Sequence, residues 1–151
     1  MLKHLKKLCA LDGVSGNEKE VRDYIVTSAS GYADSIKIDP LGSVIAFKRG
    51  SNSSKRIMLA AHMDEVGLII RSITADGFLK FACVGGIDCR VMLGRRVRID
   101  AKSGKIPGVI GLCPVHLSND EKKPPKEEDM YIDIGAKDNA EASTHISPGD
   151  F

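Results

Sequence analysis

Five apolar residues in a row, Ile57-Met58-Leu59-Ala60-Ala61, place the strongest constraint on what this chain can fold into. A strand with one wetted face alternates apolar and polar residues. An unbroken run suits a strand buried on both faces, as in the helix-covered sheet of an α/β protein. The run ends abruptly in His62-Met63-Asp64-Glu65, followed by Gly67. Alternate residues of an extended backbone share a side, so His62 and Asp64 are expected to project together. They would do so beyond the carboxyl end of the strand, where open α/β sheets bind their ligands. Such a pair offers metal chemistry. A metal-bound histidine usually donates its other ring N–H to a carboxylate or carbonyl, which fixes its tautomer, and a bound ion can activate water near neutral pH. Taken alone, the same two residues are more often a surface salt bridge or a hydrogen-bonded strand end, and Glu65 reads as a solvated carboxylate.

The chain changes character near Gly67. Before it, Leu2, Leu5, Leu8 and Leu11 recur at three-residue spacing among Lys3, Lys6 and Lys7, which predicts a short amphipathic helix stopping at Gly13. Ser15 and Glu18 read as a capping box ahead of a second helix whose apolar face holds Val21, Tyr24 and Ile25 and which stops near Gly31. Everything after Gly31 reads as strands: Ser35 to Asp39, Val44 to Phe47, the buried run, Val66 to Ile73, Phe78 to Val84, Arg96 to Ile99, Val109 to Leu112 and Met130 to Ile134. Turns are expected at Ala75-Asp76-Gly77 and Lys102 to Lys105, with a polar loop over Ser118 to Asp129. At Pro148 to Phe151 another strand is expected to begin.

Composition narrows the function classes. The 22 basic and 20 acidic side chains leave a formal net charge of +2, without the clustered basic excess of a nucleic-acid binder. Aromatic residues are 5% and there is no Trp, so no base-stacking platform or membrane aromatic belt is expected. No apolar run reaches membrane-spanning length, and the basic N-terminus lacks the apolar core of a signal peptide, which points to the cytoplasm. Cys9, Cys83, Cys89 and Cys113 form no Cys-x-x-Cys pair and read as reduced thiols. His116 and His145 read as loop or strand-edge histidines.

The stretches AAHMDEVG, DGFLKFACVGGIDCRVMLGRRVRI, GVIGLCPVHL, MYIDIGA and ISPGDF follow one another in an order that resembles the N-terminal part of the M42 metallo-aminopeptidases. These are the glutamyl-aminopeptidase-like and tetrahedral enzymes, some of them labelled endoglucanases. SGNEKEVRDYI and DPLGSVIA are similar to the family's opening helix and strand. The resemblance implies an α/β fold in two parts. Residues 1–67 would be the incomplete N-terminal segment of a zinc-peptidase α/β domain, and residues 68–151 a β-barrel-like, PDZ-like insertion that mediates dimerisation, with the peptidase domain resuming where the chain stops. It implies two divalent metal ions, zinc or cobalt, a peptide substrate and homo-oligomers. His62 matches the family's metal-ligand histidine, and Asp64 the acid that bonds that histidine and supports catalysis.

The departures bear on activity. The family's later Asp-Asp and Glu-Glu motifs, a further aspartate and a final histidine have no counterpart here, and family chains are more than twice as long. Ser43 stands where Asn is usual, and Cys113-Pro114-Val115-His116 where Pro-Pro-His is usual. A catalytic zinc typically takes three protein ligands plus water, and this chain offers one ligand with its partner. The expectation is therefore part of a truncated or split aminopeptidase, inactive alone, with a separately encoded C-terminal half as a possible partner. The Ile57–Ala61 strand, lacking most of its parallel partners and covering helices, is then expected to be partly exposed, which invites association. The alternative is a non-catalytic dimerisation or interaction module. A glycosidase would need two carboxylic residues held across a sugar, and no such pair stands out.

Overall fold

The computed structural model describes residues 1–52, 54–112 and 125–151, in two compact units, Met1–Glu65 and Val66–Phe151. In the first unit, helix α1 spans Leu2–Leu8 and helix α2 spans Lys19–Ala29. Strands β1 (Ser35–Ile38) and β2 (Val44–Phe47) form an antiparallel hairpin in which Ile36 faces Ala46. Asp39 builds its turn, accepting from Leu41 N and Ser43 N at 2.9 and 2.8 Å, as aspartate does when it closes a turn on its own backbone. Hydrogen bonding to Ser43 lowers the Asp39 pKa accordingly. The only fully buried apolar side chain described in this unit is Val21. Tyr24 and Ile25 flank it half-buried, and the Tyr24 hydroxyl meets His4 Nδ1 of α1 at 2.8 Å.

Three expectations fail in this unit. Helix α1 does not continue to Gly13. It ends at Leu8 and tightens into Ala10 N–Lys7 O and Leu11 N–Leu8 O bonds, because the backbone of Gly13 is engaged elsewhere. Ser15 and Glu18 make no capping box. Glu18 is itself the residue before α2, its carboxylate accepts from Gly16 N at 2.7 Å, and the Ser15 hydroxyl donates to Asp64. Ile57–Ala61 is not a strand, although the exposure expected of the run when its partners and covering helices are lacking is observed. Residues 55–64 take no helix or strand, and Ile57, Met58 and Leu59 are 87%, 88% and 94% exposed. A strand needs a neighbour for its N–H and C=O groups, and no described strand pairs with this run.

The second unit is a five-stranded antiparallel sheet in the order β3-β4-β7-β6-β5. Its strands are β3 Gly67–Ile73, β4 Leu79–Val84, β5 Arg96–Ala101, β6 Gly104–Leu112 and β7 Met130–Asp133. The β3–β4 turn requires Gly77: its φ is +82°, and a Cβ there would stand 2.9 Å from the carbonyl oxygens of Ala136 and Asp138. Leu79, Phe81, Ile99, Ile110, Met130 and Ile132 are buried in one cluster, which Ala142 and Ile146 complete.

Ala142 and Ile146 belong to helix α3 (Asn139–His145) and its C-terminal flank, so the all-strand expectation after Gly31 is wrong. Asp138 caps that helix by accepting from Glu141 N at 2.9 Å, while Glu141 accepts from Lys137 N. His145 is exposed at its last turn rather than in a loop or strand edge. The final residues do not begin a strand either. They turn, and bond both edges of the sheet: Gly149 N and Asp150 O to Ile70 of β3, and Phe151 O to Asp100 N of β5. These bonds satisfy edge groups of both outer strands at these points. No described helix is long and apolar enough to cross a membrane. His116 and Cys113 lie outside the described residues.

Leu79→Ala should destabilise this second unit by about 2–5 kcal/mol, since it removes a fully buried side chain at the centre of the cluster. Urea unfolding of the chain with Tyr24 and Tyr32 replaced by Phe, followed by the fluorescence of the remaining Tyr131, checks this.

Candidate functional site

His62 and Asp64 follow the exposed run, and their side chains meet. His62 Nδ1 lies 3.0 Å from Asp64 Oδ1 and 3.0 Å from the Asp64 carbonyl oxygen. Both partners are acceptors, so Nδ1 carries the proton and the lone pair of the neutral ring sits on Nε2. All polar contacts of His62 among the described residues run through Nδ1, and the side chain is 85% exposed. Nε2 makes no hydrogen bond among the described residues, while Nδ1–H is held in the way that a metal-ligating histidine usually holds it.

The other carboxylate oxygen, Oδ2, accepts from the Ser15 hydroxyl. The Asp64 carboxylate is thus held on both oxygens, by Ser15 and by His62. The Ser15 hydroxyl first, then His62, hold its carboxyl below its ordinary pKa. Ser15, Asp64 and His62 are the residue types of a nucleophilic triad in the wrong order: in a triad the imidazole faces the hydroxyl, and here the carboxylate does.

Ser15 and Asp64 are forty-nine residues apart in sequence, and a backbone join beside them brings them together. Val14 and Glu65 form a parallel bridge, Glu65 N donates to Gly13 O at 2.8 Å, and the Glu65 carboxylate accepts from Gly13 N at 3.2 Å. Glu65 is thus exposed but not merely solvated, which corrects the sequence expectation. Gly13 allows the loop to approach: a Cβ there would come within 2.6 Å of Val21 Cγ2. The sequence reading missed Ser15 as a site residue because it assigned the hydroxyl to a helix cap. The signal was Gly16, whose φ of +93° turns the chain where a helix start was expected.

The pair fits one histidine ligand and its partner. No group of three His, Cys, Asp or Glu residues among the described residues could hold a metal ion. Cys9, Cys83 and Cys89 are free thiols; Cys9 is exposed and the other two half-buried.

A profile of the M42 glutamyl aminopeptidase family matches residues 42–151, which include His62 and Asp64. The chain belongs to that family. It is 36% identical over 142 residues to the lysyl aminopeptidase of Pyrococcus furiosus, covering 91% of this chain and 40% of that one. Its fold matches the TET aminopeptidase from the marine sediment archaeon Thaumarchaeota archaeon SCGC AB-539-E09 with a TM-score of 0.92 at 37% identity, covering 99% of this chain and 42% of the other. The TET1 peptidase of Pyrococcus horikoshii, which can assemble into a tetrahedron or a large octahedral shell, matches with a TM-score of 0.86 at 40% identity, over 99% of this chain and 45% of that one. The chain thus spans about two fifths of the length of these M42 relatives.

Cys83 allows a test of the thiol assignment. Desolvation, then Glu127, raises its pKa from 9.0 to about 12. The folded thiol keeps its proton through the window in which the unfolded chain would release it, so stability falls as pH rises from about 9 to about 12. At pH 8.5, iodoacetamide should label Cys9 well before Cys83, and unfolding in urea should erase the difference. Peptide mass spectrometry of the alkylated chain reads both rates.

Proposed function

We propose that this chain is the N-terminal part of a metal-dependent M42 aminopeptidase that removes N-terminal residues from peptides. The observation that carries the reading is the His62–Asp64 pair: Nδ1–H is held by a carboxylate and Nε2 is left open, within the segment that matches the family. In this reading His62 supplies Nε2 to one of two divalent metal ions, zinc or cobalt, and Asp64 orients it and supports catalysis. When bound, such ions polarise the scissile carbonyl and acidify water. The residues described here supply one ligand where a catalytic zinc typically takes three, so the chain alone is inactive and works with the segments that its longer relatives carry. Residues 1–67 form part of the peptidase domain, residues 68–151 a dimerising insertion, and the assembly is a cytoplasmic homo-oligomer. A separately encoded C-terminal half would be one source of those segments.

One observation favours a second reading. The buried cluster between Ile70 and Ile146 lies wholly within the second unit, so that unit holds a core of its own and could serve as a non-catalytic dimerisation module.

Purified with Zn²⁺ or Co²⁺, the chain should release no N-terminal residues from peptides, and His62→Ala should change nothing. Co-expression with a polypeptide carrying the remaining M42 motifs should restore a release that His62→Ala abolishes. Activity of the chain alone that His62→Ala removes would overturn its incompleteness. A reconstituted enzyme indifferent to His62→Ala would overturn the assignment of the ligand.

A further inference from the structure

The Ser15 hydroxyl is the one polar group on Asp64 that neither the resemblance nor the metal reading employs. Its approach is not a chance surface contact. The bridge from Val14 to Glu65 and the two bonds between Gly13 and Glu65 fix the backbones on both sides, and Ser15 is the next residue along from Val14. The hydroxyl is half-buried and its acceptor is ionised, which makes this the stronger class of hydrogen bond.

We propose that Ser15 is a positioning residue. By donating to Asp64 Oδ2 it fixes the carboxylate so that Oδ1 receives His62 Nδ1–H, and it thereby sets the tautomer and the direction of His62 Nε2.

A carboxylate turns easily about its terminal torsion, which is broad and roughly two-fold. With Oδ2 unheld, Asp64 can swing toward water, and its hold on the imidazole then competes with solvent on a side chain that is 85% exposed. A free neutral histidine favours the Nε2–H form, which would turn a proton, rather than a lone pair, toward a metal. Holding Oδ2 removes that freedom. Ser15 acts on a metal only through two intervening groups, so its effect on affinity should be smaller than the 10–100-fold typical of a group bonded directly to a ligand.

The inference rests on the metal reading for its purpose, but the tautomer can be measured without any metal. In the ¹⁵N-labelled chain at pH 8, where an ordinary histidine is neutral, long-range ¹H–¹⁵N spectra distinguish the two ring nitrogens, and His62→Gln identifies the signals. The expected result is Nδ1–H in the native chain, a shift toward Nε2–H in Ser15→Ala, and recovery in Ser15→Thr, with the amide signals of Gly13 and Glu65 in place. A native chain already in the Nε2–H form, which needs no variant to observe, would overturn the proposal. So would a folded Ser15→Ala with an unchanged tautomer. Titration with Zn²⁺ alone then separates the two readings. If Zn²⁺ perturbs Nε2 first, and several-fold more weakly in Ser15→Ala, both stand. If the tautomer responds to Ser15 but Zn²⁺ never reaches Nε2, the positioning stands and the ligand assignment falls.

Discussion

The candidate site depends on one join: the backbone of residues 13–14 bound to that of Glu65. Nothing nearby in sequence could supply it. Residues 55–64 have no regular structure of their own, and a histidine on such a segment would ordinarily sample many directions. The join fixes the chain immediately after Asp64, and the Ser15 bond fixes the Asp64 side chain. Two constraints on adjacent residues are enough to orient an exposed imidazole. They also explain why α1 stops where it does, since a helix continuing through Gly13 would need the same N–H and C=O groups that Glu65 uses.

The second unit is held by a different kind of constraint. Its strands lie between Gly67 and Asp133, but the sheet has edges on β3 and β5, and an open edge invites pairing with other chains. The last residues bond to both edges, and α3 covers the core with Ala142 and Ile146. The unit thus holds a buried cluster drawn from its own residues, with both sheet edges engaged at these points. Burying a side chain such as Leu79 is worth roughly 1.5–3 kcal/mol relative to leaving it exposed, and the unit gathers eleven buried residues in one cluster. The first unit contains one such residue. It is held by directional bonds at the site and along its hairpin more than by a core.

That contrast explains what could be read from the sequence. The strands of the second unit were legible because alternation and turn residues are local signals: the β3–β4 turn announces itself in Ala75-Asp76-Gly77. The helix α3 was not, because seven residues with one inward position make no helical period. Only the Asp138–Glu141 spacing, a cap signal, marks it. At the site, His62 and Asp64 were legible because they stand two apart in the chain. Ser15 was not, since its partner lies forty-nine residues away and the local pattern Ser-x-x-Glu offered a nearer and more familiar use for the hydroxyl.

The failed strand is the most informative of these. Ile57-Met58-Leu59 has the composition of a strand covered on both faces, yet lies almost entirely in water. Local propensity therefore did not mislead about what the residues favour; it lacked information about what would lie beside them. A strand is defined by its neighbours, and a run this apolar is stable in water only at the cost of exposed surface that association would relieve. The M42 relatives are more than twice as long as the chain, and a strand at this place would need partners contributed by residues beyond those described here. The His62–Asp64 pair is arranged by bonds local to the first unit, and among the described residues no group of three His, Cys, Asp or Glu could hold a metal ion. In the proposed metal reading, arranging these groups beforehand would lower the ordering cost of completing a site, which is what the Ser15–Asp64–His62 chain of bonds would contribute.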